Sequence, residues 1–201
     1  MSAPPAPARP PGEVAGLVQV PRLLWHLPGL LLHRRGRTRT VVVLPGRSTD
    51  DISTLPLRLY LRSRGHRVRG WGLGPNHGRV DELLPLALAA VRDLATSAAT
   101  PVDLVGQSLG GYLAREVARQ APAEVGRVIT LGAPIFGRRD PAPLSVPVTA
   151  VHSPIDRVVP PGRAIDRDPA TTNLEVGSTH FSMGIDPDVW RIVADALEEE
   201  A

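Results

Sequence analysis

The chain has 201 residues, 42% hydrophobic and 21% charged, enough to bury one core and too apolar for general disorder. It has no cysteine, which excludes disulfides, thiolate metal sites and a cysteine nucleophile. All 23 basic residues are arginine, and the net charge of +3 hides an asymmetry: residues 1–79 carry 13 Arg against 3 acids, residues 80–201 carry 10 against 17, a gradient able to steer anionic substrates or partners.

Residues 1–13, rich in Pro and Ala, read as a disordered tail ahead of a single domain over 14–201. No apolar signal core follows the N-terminus, and the apolar stretch 23–32 is too short to span a bilayer, so a cytoplasmic location is expected. Residues 17–32 are expected to form one or two short helices, interrupted near Pro28 and Gly29. The unalternating run Thr40, Val41, Val42, Val43, Leu44 predicts a strand covered on both faces. Asp50 and Asp51 then cap a helix to about Arg64, with Ile52, Leu55 and Leu59 turned inward, Leu57 a further candidate, and Gly65 as its stop.

A second strand is predicted over 68–71, a Gly-rich loop over 72–78, and a helix over 81–97 whose stripe is Leu84, Leu88, Val91 and Leu94. A third strand over 102–105 precedes a turn and a helix to about Gln120. Further strands are expected over 125–131, 146–152 and 174–176. Asp186 and Pro187 open a last helix to about Glu199, burying Val189, Ile192, Val193, Ala196 and Leu197. This alternation predicts an α/β fold: a mostly parallel sheet with helices on both faces and right-handed crossovers.

The strongest local signal is Gly106-Gln107-Ser108-Leu109-Gly110, a G-x-S-x-G sequence between a buried-type strand and a helix. The chemistry needs glycines there because strand and helix atoms approach too closely for side chains. The serine at the helix N-terminus then meets free N–H groups.

Serine needs a base, and six histidines are available. His180, between the last short strand and the last helix, is the candidate; it alone follows a suitable acid in the order Ser, acid, His. His152 and His77 are its rivals. Asp156, after the fifth strand, is the expected orienting acid, with Asp166 and Asp168 as alternatives. The oxyanion donors expected are the backbone N–H groups of Leu109 and Arg47, Gly46 allowing the Arg47 loop to come close. Residues 132–145 are too few for a large cap. A shallow pocket is expected from Trp71, Leu73, Pro134, Ile135, Phe136, Phe181 and Met183.

These segments resemble the α/β-hydrolase superfamily, specifically its small lipase- or esterase-like members without a large cap. Val41 to Gly46 resembles the oxyanion segment, with Pro45 where a histidine is often found, and Asp103 to Tyr112 resembles the nucleophile elbow. Ser153 to Pro160 and Gly177 to Phe181 resemble the acid and base loops, and Trp71 to Asn76 the loop after the second strand. The resemblance covers about residues 40–199 and implies acyl transfer through an acyl-enzyme, with no metal or cofactor.

The expected function is therefore a serine-dependent carboxylic ester hydrolase acting on small-molecule or lipid esters. A thioesterase or acyltransferase would use the same triad, and a noncatalytic anion- or membrane-binding module is the reading from another class. Transient contact with an anionic membrane fits the basic N-terminal part. No nucleic-acid partner is expected, since zinc-finger spacing, RNA-binding aromatics and a continuous basic helix are all missing.

Overall fold

The computed structural model describes residues 19–32, 37–135 and 143–199. The expected tail over 1–13 and the pocket candidate Phe136 lie outside the described residues.

Six parallel strands form one sheet in the order β2-β1-β3-β4-β5-β6: β1 (Thr40–Leu44), β2 (Arg67–Gly70), β3 (Val102–Gln107), β4 (Val125–Leu131), β5 (Val148–His152) and β6 (Thr171–Glu175). β1 is buried along its whole length, as its unalternating apolar sequence requires. The period of two divides its side chains between two cores. Val41 and Val43 join Val105 and Ile129 beneath α1 (Gln19–Leu32), α2 (Leu55–Ser63) and α6 (Pro187–Glu198). Val42 and Leu44 join Leu104 and Val128 beneath α3 (Val80–Ala98) and α4 (Leu109–Gln120). A short α5 (Pro161–Ala164) precedes β6. Among the described residues no helix is long and apolar enough to cross a membrane.

The chain leaves β1 for β2 on one side and returns to β3 on the other. Loops therefore diverge at the carboxyl ends of β1 and β3, opening a crevice where parallel sheets commonly bind ligands.

Several elements differ from their sequence-based expectation. α1 runs unbroken through Pro28. Pro28 and the residue four before it, Leu24, both face solvent, so water can satisfy the carbonyl that proline leaves free. α2 starts five residues after Asp50, with Pro56 in its first turn, and buries Leu57, Tyr60 and Leu61. Ile52 is 76% exposed and Leu55 and Leu59 also face outward. Asp51 is not a helix cap: its carboxylate accepts from Trp71 N–H at 3.0 Å and Gly72 N–H at 3.1 Å, tying this turn to the end of β2. In α3 the most buried line is Leu83, Ala87, Val91 and Ala95, with Leu84, Leu88 and Leu94 on its flanks. β6 is longer than expected, and α6 also buries Trp190, stacked on Tyr60 with ring centroids 4.9 Å apart.

Candidate active site

Ser108 stands between β3 and α4 with φ 51° and ψ −124°, a backbone conformation that few non-glycine residues adopt. Close packing enforces it. A Cβ at Gly106 would lie 2.4 Å from the Gly110 carbonyl oxygen, and one at Gly110 would lie 2.5 Å from the carbonyl oxygens of Leu44 and Pro45. The Ser108 N–H is held by the Leu131 carbonyl at 2.8 Å, which leaves the side chain projecting from the turn.

His180 meets this serine from a loop 72 residues further along. Its Nε2 is 3.0 Å from Ser108 Oγ, and its Nδ1 is 2.8 Å from Asp156 Oδ2. A carboxylate accepts only, so the proton lies on Nδ1 and Nε2 is left to accept from the serine hydroxyl. The other Asp156 oxygen, Oδ1, accepts from the N–H groups of Val158 and Val159, both at 2.8 Å. Both oxygens are thus committed in a buried setting, and the carboxylate is fixed in orientation.

The rivals sit elsewhere. His152 is buried at the end of β5, and His77 lies in the loop after β2 with Nε2 3.9 Å from Glu82. Asp166 forms a buried ion pair with Arg115 and accepts from the Asp168 N–H and the Thr171 hydroxyl. Burial alone would raise its carboxyl, but those donors together hold it below the usual carboxylate range. Asp168 itself accepts from Ala170 N–H in a local turn.

Two loops that carry the expected oxyanion donors lie beside Ser108. Leu109, first residue of α4, has an N–H with no intrahelical acceptor. Across from it, a Cβ on Gly46 would lie only 3.4 Å from Ser108 Cβ, so the segment 45–48 runs against the nucleophile. Asn76, fully buried, staples that segment: its Nδ2 donates to Pro45 O at 2.9 Å, its backbone O accepts from Ser48 N–H at 2.7 Å, and its N–H donates to Thr49 O at 2.8 Å. Arg47 is thereby held beside Ser108 by a backbone clamp.

Two hollows open on either side of the serine. One, about 240 Å³, is walled by Ser108, His180, Phe181 and Arg47; the other, about 380 Å³, by Ser108, Leu109, Pro134, Val158 and Arg163, with Arg47 between the two. Phe181 is 64% exposed and meets the His180 ring edge-on at 5.4 Å. Trp71 lines neither hollow; it closes a groove between β1 and α3, and its indole N–H donates to Gly74 O. Leu73 packs in the α3 and α4 layer, Met183 is fully buried in the opposite core, and Ile135 donates its N–H to Arg163 O.

Sequence reasoning missed three contributors. Gln107 donates from Nε2 to the His180 carbonyl at 3.2 Å; Gly132, with φ +54°, lies against Asp156 and His180; and Asn76 clamps the loop. The position of Gln107 beside the nucleophile and of Asn76 in a Gly-rich loop were the available signals. Among the described residues no group of three or more His, Cys, Asp or Glu side chains is placed to hold a metal ion.

No protein-family model matches the chain, and no curated protein matches it. Solved structures do. A chain from Xanthomonas campestris assigned to the α/β-hydrolase superfamily is 23% identical, covering 80% of this chain and 98% of its own length, with a TM-score of 0.57. Lipase B from Aspergillus fumigatus is 15% identical over 82% of this chain and 53% of its own, at 0.68. The thioesterase domain of the curacin biosynthetic pathway is 14% identical over 81% and 92%, at 0.58. At these identities the likeness concerns architecture: the chain has the α/β-hydrolase fold, with a compact body and little between β4 and β5 to serve as a cap.

Proposed function

We propose that this chain is a serine hydrolase that cleaves carboxylic esters through a covalent acyl-enzyme. The observation that carries the reading is the unbroken line from Asp156 Oδ2 to His180 Nδ1 at 2.8 Å and from His180 Nε2 to Ser108 Oγ at 3.0 Å, beside a strained serine at a helix N-terminus.

In the first half-reaction His180 Nε2 takes the Ser108 proton as Oγ attacks the ester carbonyl carbon. Negative charge gathers on the carbonyl oxygen, which the N–H groups of Leu109 and Arg47 receive. Asp156 steadies the imidazolium without taking its proton. The C–O bond to the alcohol breaks, and His180 returns the proton to the departing oxygen. Water then enters by the same route: His180 removes its proton, hydroxide adds to the acyl carbon, and the acid leaves as Ser108 regains its hydrogen. Small-molecule or lipid esters of modest acyl length suit hollows of this size.

The test is turnover of 4-nitrophenyl butyrate together with labelling by a fluorophosphonate. Both should occur in the purified protein and vanish in Ser108→Ala at unchanged thermal stability. Persistent turnover in that variant would refute the assignment. Parallel kinetics on matched oxygen and sulfur esters, with and without an added alcohol acceptor, separate ester hydrolysis from thioester hydrolysis and acyl transfer.

A further inference from the structure

We infer that the larger hollow selects acyl groups whose far end carries an oxyanion, a carboxylate or a phosphate, and that the guanidinium groups of Arg47 and Arg163 receive it. The inference deepens the ester-hydrolase reading and rests on it for the placement of the acyl chain.

The leaving alcohol oxygen must collect its proton from His180 Nε2, so the alcohol belongs in the hollow that His180 and Phe181 wall. The acyl chain is left with the other one, which starts at Ser108 and Leu109. That space is walled by apolar Leu109, Pro134, Val158 and Val159 together with Arg47 and Arg163, and by no acidic residue. Among the described residues neither guanidinium makes an ion pair. The nearby Glu82 carboxylate is taken by Arg79 at 3.2 Å.

Both arginines are carried on fixed backbone. Arg47 sits in the segment clamped by Asn76, and its side-chain stem lies so close to Gly78 that a Cβ there would be 2.9 Å from Nε. Arg163 is held within α5 by its N–H to Pro160 O at 2.8 Å and its carbonyl to Ile135 N–H at 2.7 Å. An apolar hollow with two uncommitted guanidiniums in its wall matches a short aliphatic chain with a terminal oxyanion, because charge-assisted hydrogen bonds to them replace lost hydration.

The experiment compares kcat/KM for 4-nitrophenyl hexanoate with that for the mono-4-nitrophenyl esters of adipic acid and of 5-phosphonopentanoic acid. The expected result is a preference of about tenfold or more for an anionic ester, reduced about tenfold in Arg163→Gln, partly kept in Arg163→Lys and unchanged in the distant Arg92→Gln. The carboxylate and phosphonate arms decide between the two sources of charge. Turnover of the neutral ester with equal or poorer use of both anionic ones overturns the inference and leaves the esterase reading standing. If none of the three esters is turned over, the esterase reading falls. Calorimetry with adipate and hexanoate then decides the subsite alone: tighter adipate binding that Arg163→Gln abolishes supports it, and equal binding overturns it.

Discussion

Gln107 Nε2 donates to the His180 carbonyl oxygen at 3.2 Å, so the residue before the nucleophile holds the loop that carries the base. The same side chain presses on the turn after His180, since a Cβ at Gly184 would lie 3.1 Å from its Oε1. Serine and histidine reach the site from loops far apart in sequence, and this amide is a direct polar tie between them. Gln107→Ala should lower kcat by roughly tenfold with a smaller change in KM, because alignment matters most as the proton moves. Steady-state kinetics on a neutral ester, with the thermal midpoint measured alongside, provide the check; an unchanged kcat would remove Gln107 from any positioning role.

Asp156→Asn tests the direction of the hydrogen-bond line. Oδ1 already accepts two N–H groups, from Val158 and Val159, so an asparagine would keep its oxygen there and turn its NH2 toward His180. An NH2 facing Nδ1 forces the imidazole proton onto Nε2, where it opposes the serine hydrogen. The variant should fold normally and lose about 10³- to 10⁴-fold in kcat. A loss below tenfold would mean that Asp156 is not the orienting group.

The chemistry of this site was legible because each triad residue belongs to a short local sequence whose order along the chain matches the order of strand ends. Gly106 and Gly110 could be read in advance since their role is steric and local. The inward face of α2 could not. It depended on where the helix starts, and Pro56 sets that start while Asp51 is drawn away to Trp71 and Gly72 across the sheet edge. The hollows were equally obscure: apolar residues such as Trp71 and Met183 fit a pocket wall or a core equally well by composition, and only packing decides. Asn76 acts through contacts with the segment 45–49, and its place in a Gly-rich loop signalled a turn without naming that partner.

Gly132 offers a backbone test of the same site. Its φ of +54° already disfavours a side chain, and a Cβ there would lie 3.0 Å from both Asp156 Oδ2 and the Met183 sulfur and 3.3 Å from His180 Nδ1. Asp156 cannot retreat without lengthening its bond to His180. Gly132→Ala should therefore cost about 1–2 kcal/mol of stability and reduce kcat by at least about tenfold. Gly177→Ala is the matched control, since a Cβ there meets nothing within 4 Å. Equal behaviour of the two variants would contradict the crowding at Gly132.

The opposite end of β3 predicts a pH dependence independent of catalysis. Asp103 is buried, and burial pushes its carboxyl up to about 6, outweighing the Arg39 and Arg127 guanidiniums at 3.5 and 4.0 Å. Those arginines also donate to the Glu199 carbonyl at the end of α6, so Asp103 shares them with a helix terminus. The native carboxyl keeps its proton to about pH 6, the unfolded one only to about 3.8. Between these values the folded state binds more protons, so the stability contributed by Asp103 is full below the lower value and declines as pH rises. Asp103→Asn stays neutral throughout and mimics the protonated acid. The two proteins should be about equally stable near pH 4, and the variant should gain on the wild type by about 3 kcal/mol by pH 7. Urea unfolding across this range measures the difference, and a gap that does not change with pH would show that Asp103 is ionised at no cost in the folded protein.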